Sequence, residues 1–262
     1  MRTSLRIFFI GGMTSYRALF HWLTPWILIP TFVLSPLFQL VFFVFVGRDA
    51  GYADDTFYLI GNAVQLASIP CLFAMGNTIG NERYFQTLGL LLASPARRLP
   101  LFLGRSLPVI VNGFLVSLVV LVTGALLLRV SMAAAAWPEI VGVLVVTSFS
   151  CTGLGLAAAA LALRVRETAV LSNIIAGLLI VFCGVNVAVS ALPAWMQPIS
   201  NALPLTHGIE AARDLAAGSS WGQVSGLVVA EAAIGLAWAA LGIGLLFYFE
   251  VESRRQATLE LA

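Results

Sequence analysis

The chain has 262 residues and a formal net charge of +2, and 60% of its residues are apolar while only 10% are charged. Its mean hydropathy is +0.98, whereas a soluble domain carries about a quarter charged residues. This composition excludes a water-soluble globular protein, and so small a net charge gives no sign of nucleic-acid binding. The protein must be solvated mainly by the lipid bilayer, and its function belongs at or across a membrane.

Residues 1–20 are too polar to cross a bilayer. On a helical wheel, Arg2, Arg6 and Arg17 fall on one side of a helix, while Phe8 and Leu19 lie away from them. We therefore expect an interfacial helix on the cytoplasmic surface. A poorly ordered tail is the alternative.

Six later stretches are each long and apolar enough to cross a bilayer, which takes roughly 20 residues per helix. They are residues 23–46, 57–79, 100–128, 140–163, 168–190 and 222–249. Little sequence remains between them for a soluble catalytic domain. The sequence predicts one all-α transmembrane domain over residues 1–262, with six membrane-spanning helices.

Arginine positions predict the orientation of these spans. If the amino terminus is cytoplasmic, the inner segments hold eleven arginines and the outer segments hold three, Arg48, Arg129 and Arg213. That asymmetry follows the positive-inside rule. With an even number of spans, both termini are predicted on the cytoplasmic side of the cell (inner) membrane.

The connection after the second span, residues 82–98, is here called the inner connection. Asn81 can cap a helix, Glu82 and Arg83 follow it, and Pro95 can end the helix. Leu88, Leu91 and Leu92 recur at helical spacing. The pattern favours a short helix along the inner membrane surface, either a plain anchor or a docking element for a cytoplasmic partner.

The connection before the last span, residues 191–221, is here called the outer connection. It contains Pro193, Pro198 and Pro204 and is too polar for a seventh span. It is also too rich in apolar and aromatic residues for a free loop. Short broken helices that dip into the outer leaflet fit best, because irregular backbone at membrane depth requires protein or water as a partner.

Small residues inside the predicted spans indicate helix packing. Gly76-x-x-x-Gly80 and Gly222-x-x-x-Gly226 permit close approach of neighbouring helices. The cysteines lack metal-binding spacing and are interpreted as packing residues; they are Cys71, Cys151 and Cys183.

Glu231 is the acidic residue placed deepest in a predicted span. It lies about nine residues into the last span, roughly 14 Å along a helix at 1.5 Å per residue. A charged carboxylate facing lipid at that depth is costly. Glu231 must therefore face protein or a wet path, be protonated, or find donors on a neighbouring helix. It is either a hydrogen-bonded packing residue or a polar point on a transport path or subunit interface.

The two connections carry a family resemblance. The inner motif Glu82-Arg83, Thr87-Leu88, Leu91-Leu92 and Ser94-Pro95, and the outer motif Pro204-Leu205-Thr206-His207 with Glu210 and Arg213, resemble those of type-two ABC transporter permeases. The resemblance implies that the inner connection is a coupling helix that docks on an ATPase. The contact residues would be Glu82, Arg83, Thr87, Leu88, Ser94, Pro95, Arg97 and Arg98. It also implies short re-entrant helices in the outer connection, where we expect Glu210 and Arg213 to organise the segment rather than bind substrate.

The same resemblance implies the function and partners. The chain would be the permease of an ATP-driven exporter, with two ATPase subunits and a second permease, identical or paralogous. A hydrophobic drug, natural product or lipid-like substrate is favoured, and a lipid-linked cell-envelope glycan is the alternative. ATP and magnesium would bind the partner ATPase, and no cofactor is expected on this chain.

Motifs for other chemistry are missing from the sequence. No G-x-x-x-x-G-K-[ST] phosphate loop is present, so this chain has no visible means of holding ATP phosphates. H-E-x-x-H and G-x-S-x-G are also missing. His21 and His207 are predicted on opposite sides of the membrane and so cannot share a metal. An intramembrane enzyme and a non-transport scaffold remain the alternatives from other classes.

Overall fold

A computed structural model describes residues 26, 30–84, 98–162, 164 and 168–256. A π-helical turn, Pro30–Leu34, leads into α1. The helices in chain order are α1 (Ser35–Ala50), α2 (Asp55–Gln65), α3 (Ser68–Tyr84), α4 (Arg98–Leu128), α5 (Ala136–Leu161), α6 (Thr168–Phe182), α7 (Gln197–Ala202), α8 (Thr206–Ala216) and α9 (Trp221–Gln256). The interfacial helix predicted for residues 1–20 lies outside the described residues.

Four stretches within the described residues are long and apolar enough to cross a membrane. They are Asp55–Asn77, Gly104–Leu128, Ala136–Leu161 and Trp221–Phe249. The first of them combines α2 and most of α3. These helices identify a multi-pass membrane protein, whereas the total of six spans stays a prediction.

The two remaining predicted spans differ in how far the structure describes them. The first is described continuously from Pro30, where the π-helical turn leads into α1, and α1 ends at Ala50, beyond the predicted end at residue 46. The span predicted over residues 168–190 is wrong in extent, because α6 ends at Phe182 after 15 residues. Gly184 then adopts a positive φ of 75°, which glycine tolerates without a steric cost and which turns the chain out of the helix.

At the centre of the molecule, α5 packs against α3, α4, α8 and most extensively α9. A Cβ atom on Gly153 would lie 2.3 Å from the carbonyl oxygen of Gly235, and one on Gly242 would lie 2.6 Å from the Ala157 nitrogen. The backbones of α5 and α9 therefore touch, as glycine permits in membrane helices.

Two predicted packing glycines have different outcomes. A Cβ on Gly76 would lie 3.3 Å from Ser172 Oγ, so Gly76 does contact α6. A Cβ on Gly226 would meet nothing within 4 Å. The close approach expected at Gly222 and Gly226 is therefore not made within the described chain, because α9 turns a different face, with Gly235 and Gly242, towards α5.

Ion pairs join neighbouring helices at their ends. Arg48, near the end of α1, pairs with Asp55, the first residue of α2. At the other end of the bundle, Arg164 pairs with Glu252 of α9, and its guanidinium lies 5.0 Å from the centre of the Phe249 ring. These contacts hold α1 to α2 and the end of α5 to α9.

Candidate functional site

Glu231 is fully buried on α9, with 0% of its surface exposed. Its Oε1 accepts a hydrogen bond from the backbone N–H of Leu205 at 2.8 Å. Its Oε2 accepts one from the backbone N–H of Gly208 at 3.2 Å. Both donors stand at the beginning of α8, so the Glu231 carboxylate caps that helix from a neighbouring helix.

The sequence at the start of α8 explains why such a cap is needed. Leu205 occupies the N-cap position, where its side chain makes no capping hydrogen bond, although Ser, Thr, Asp and Asn normally supply one. A carboxylate is favoured there because the helix N-terminus presents free N–H groups and a partial positive charge. Glu231 thereby satisfies backbone donors that would otherwise be buried without partners.

Backbone geometry brings the carboxylate close to those donors. Leu205 has a φ of 82°, unusual for a residue with a side chain. A Cβ on Gly208 would lie 2.0 Å from Thr147 Cγ2 and 3.6 Å from the carboxyl carbon of Glu231. Glycine at 208 is therefore required for α8 to approach α5 and α9 this closely.

Further hydrogen bonds hold the rest of the outer connection next to this cap. Thr206 Oγ1 donates to the carbonyl of Ser200 at 2.6 Å, and Trp238 Nε1 donates to the carbonyl of Ala202 at 2.9 Å. Cys183 Sγ lies 3.2 Å from the carbonyl oxygen of Pro204. The segment consists of short helices separated by turns, as its prolines predict, and its depth in the bilayer stays a prediction.

Arg213, near the far end of α8, binds three backbone carbonyls. Its Nη1 donates to Gly184 at 2.7 Å, its Nη2 to Val185 at 2.7 Å and to Phe57 at 3.0 Å, and its Nε to Phe57 at 3.2 Å. The guanidinium carbon lies 3.4 Å from the centre of the Phe57 ring. Arg213 therefore ties α8 to α2 and to the turn that follows α6.

The surroundings of Arg213 suit a buried guanidinium. Burial lowers its pKa to about 9, which leaves the group charged at neutral pH. The three carbonyls use its planar fork of donors, which a lysine lacks. A Cβ on Gly61 would lie 2.5 Å from Arg213 Nη2 and 2.2 Å from the Val185 oxygen, so glycine at 61 makes room for the contact.

Glu210 and His207 have different surroundings from Arg213. Glu210 is exposed on α8. The spacing of Glu210 and Arg213 permits a helical pair, but the hydrogen bonds of Arg213 go to backbone carbonyls instead. His207 is half-buried. Its Nδ1 atom is buried and has no hydrogen-bond partner among the described residues.

A cluster of amide side chains lies between α1 and α2 and was not predicted from the sequence. Gln39 Nε2 donates to Asn62 Oδ1 and to Gln65 Oε1, each at 3.3 Å. Asn62 Nδ2 donates to Asn186 Oδ1 at 2.9 Å. Asn62 and Gln65 are fully buried. Their presence in an apolar span was the signal that could have revealed them, because polar residues inside membranes need partners.

The inner connection is described only at its two ends. Asn81, Glu82 and Arg83 lie within α3, which continues to Tyr84, so Asn81 does not begin a separate helix. Arg98 is the first residue of α4. The predicted contact residues Thr87, Leu88, Ser94, Pro95 and Arg97 lie outside the described residues.

Comparison with known proteins identifies the family. A family model described as ABC-2 type transporter matches residues 11–216, more than three quarters of the chain. No curated protein matches the chain. The family match covers the inner connection and most of the outer connection, and it confirms the resemblance carried by their motifs. The chain therefore belongs to the ABC-2 type transporter family, as a transmembrane permease subunit that works with an ABC ATPase.

Proposed function

We propose that the chain is the permease of an ATP-driven exporter for a hydrophobic or amphipathic small molecule or lipid-like substrate. The supporting observation is the chemistry of its buried polar groups. Among the described residues, the fully buried polar side chains are amides, hydroxyls and the carboxylate of Glu231. That carboxylate already binds two backbone N–H groups. Because the buried carboxylate is already paired within the chain, an uncharged or weakly polar substrate is favoured over a charged one.

The outer connection is proposed to control the outer end of the path. Glu231 fastens the start of α8 to α9, and Arg213 fastens its end to α2. Movement of either span therefore moves α8. In this proposal, Glu231 and Arg213 position the outer connection and do not bind substrate.

The inner connection is proposed to receive the movement of the ATPase. Glu82 and Arg83 continue the helix of α3, so a displacement of the connection acts directly on that helix. An α-helix transmits displacement well because each residue is bonded to the next turn. The remaining proposed contacts follow in residues 85–98, before and at the start of α4.

The transport path is proposed to lie between two permease subunits. Within this chain, α5 and α9 are in backbone contact at Gly153 and at Gly242, which leaves no space between them there. Few residues of α9 are fully buried, and exposed apolar side chains run along it, among them Val229, Leu236 and Leu241. A second permease, identical or paralogous, would complete the path, and two ATPase subunits would drive it. In this proposal, both termini lie in the cytoplasm and the chain lies in the inner membrane.

Reconstitution tests the proposal. The permease and the ATPase that co-purifies with it would be placed in proteoliposomes, and ATP-dependent transport of an amphipathic fluorescent dye would be measured. We expect dye movement from the ATPase side to the other side, together with ATP hydrolysis that depends on the permease. The control is the same ATPase without the permease.

Two results would contradict the proposal. Hydrolysis that is independent of the permease would argue against the partnership in this complex. Movement of a lipid-linked glycan with no movement of dyes or lipids would replace the proposed substrate class, while the role as an exporter permease would stand.

A further inference from the structure

The second predicted span is interrupted halfway along its length. α2 ends at Gln65, α3 begins at Ser68, and Leu66 and Ala67 form a turn between them. Gln65 lies ten residues after Asp55, about 15 Å along the helix at 1.5 Å per residue. That is close to the middle of a hydrocarbon core about 30 Å thick. A break at this depth must find partners for the backbone groups that it frees.

The last four carbonyls of α2 all have such partners. The carbonyls of Asn62 and Val64 accept from the backbone N–H groups of Leu66 and Ala67, at 3.0 Å and 3.2 Å. The carbonyl of Ala63 accepts from Ser117 Oγ at 2.5 Å, and that of Gln65 from Ser68 Oγ at 2.7 Å. Two serine hydroxyls thus replace donors that a continuous helix would supply.

α4 crosses the second span at this break. Gly113 and Ser117 are four residues apart and therefore share one face of α4. Ser117 donates to the Ala63 carbonyl, while a Cβ on Gly113 would lie 2.9 Å from the Ala67 carbonyl oxygen and 2.7 Å from Cys71 Sγ. The turn thus packs against Gly113 and Ser117, which together are here called the seat. Gly113 has no side chain and lets the turn approach closely, and Ser117 carries the hydroxyl that pairs with the freed carbonyl.

The two halves of the span have different neighbours. α2 packs against α1, α4 and α8, and it is bound to the outer segments through Arg213 and through the pair Asn62 and Asn186. α3 packs against α4, α5 and α6 and continues into the inner connection. Both α2 and α3 pack extensively against α4, and the seat lies on α4.

We propose that Leu66 and Ala67 form a joint, about which α3 pivots on the Gly113–Ser117 seat while α2 stays with the outer connection. This proposal rests on the proposed function in one respect, namely that the inner connection passes the movement of the ATPase to α3. Asn77 lies ten residues beyond Ala67, about 15 Å at 1.5 Å per residue. A change of about 20° at the joint, which is the size of a sharp helix kink, would displace Asn77 by about 5 Å.

Spin-label distances in the reconstituted complex test this joint. One pair would join Ser35 of α1 to Asn77 of α3, both exposed, and the other would join Thr56 of α2 to Asp214 of α8. The three native cysteines are fully buried and so compete little for the labels. Between the nucleotide-free and ATP-bound complexes, we expect the Ser35–Asn77 distance to shift by several ångströms and the Thr56–Asp214 distance to stay constant.

A seat variant provides a second measurement. Gly113→Ala places a methyl group against the Ala67 carbonyl and Cys71, and we expect loss of the Ser35–Asn77 shift. Gly177→Ala on α6 is the matched control, because a Cβ there meets nothing within 4 Å. If the Gly113→Ala complex fails to assemble, the two spin-label distances measured without that substitution still test the joint.

Three results overturn the joint. They are a constant Ser35–Asn77 distance, equal shifts in both pairs, or a full shift in an assembled Gly113→Ala complex. Failure of the proposed function has a different signature, namely no ATP-driven transport in the complex whatever the distances do. A constant Ser35–Asn77 distance together with normal transport would remove the joint alone.

Discussion

The carboxylate of Glu231, on the last helix, accepts a hydrogen bond at 2.8 Å from the backbone nitrogen of Leu205, 26 residues earlier in the chain. Leu205 stands where an N-cap residue belongs and lacks a side chain that can cap. A carboxyl group that is costly inside a membrane when unpaired is therefore placed where a helix terminus supplies hydrogen-bond donors. This contact makes the orientation of α8 dependent on the position of α9.

Changing Glu231 should weaken the attachment of the outer connection. Glu231→Gln keeps one acceptor oxygen but directs an NH2 group at a backbone donor, and Glu231→Leu leaves two buried N–H groups unpaired. Each unpaired buried group costs about 1–3 kcal/mol, so we expect reduced thermal stability, with Leu more severe than Gln. Thermal unfolding of the purified complex measures this.

Ser225→Ala is the control for those variants, because the one hydrogen bond of Ser225 Oγ among the described residues stays within its own helix, to the carbonyl of Gly222. Both Glu231 variants should also reduce export per ATP hydrolysed at equal protein levels. Unchanged stability and export in both would contradict the capping role. Normal stability with an altered substrate range would instead make Glu231 a substrate contact.

Changing Arg213 should loosen α8 from α2 and from the turn after α6. Arg213→Ala leaves the carbonyls of Gly184, Val185 and Phe57 without these donors, and Arg213→Lys keeps the charge but cannot reproduce the fork. We expect both variants to lower stability, with Lys closer to the unchanged protein. Asp214→Ala, at the exposed neighbouring position, is the control. A stable Arg213→Ala variant that exports different compounds would show that Arg213 selects substrate.

Reversing the charges of Glu82 and Arg83 together should uncouple ATP hydrolysis from transport. An exposed ion pair contributes only about 0–1 kcal/mol, so the single variants are expected to have mild effects. The ratio of substrate exported to ATP hydrolysed is the measurement, with co-purification of the ATPase as the test of assembly. Normal coupling in an assembled double variant would exclude these two residues from transmission.

The predicted topology places Asp49 outside the cell and Ala96 inside. Single cysteines at these positions would be treated with a membrane-impermeant thiol reagent in intact cells. We expect labelling at 49 alone, and labelling at 96 only after the membrane is opened. Asp49 is preferred to Asp54 because the Asp54 side chain caps α2 by accepting from the Phe57 N–H at 3.0 Å. The reverse pattern would invert the topology drawn from the arginines.

Local composition was sufficient to predict the class of the protein. A run of apolar residues long enough to span a bilayer forms a helix there, because the hydrocarbon offers no other partner for its backbone groups. The long helices α4, α5 and α9 follow their predicted spans within a few residues, apart from the longer carboxyl-terminal end of α9. The motifs around Glu82 and Pro204 also indicated the family. Both are present, in the order that the family has them, in a chain with several apolar spans.

Tertiary structure decided which partners the polar residues use. Glu231 could be predicted to need donors, but the donors at Leu205 and Gly208 became visible only when α8 and α9 were placed together. Likewise, Arg213 binds carbonyls of α2 and of the turn after α6, although its spacing from Glu210 also permitted a pair within α8. Gly235 and Gly153 meet, while Gly226 remains open, because the rotation of each helix about its axis depends on the whole bundle. Sequence spacing fixes which residues share a helix face, and only packing determines what that face contacts.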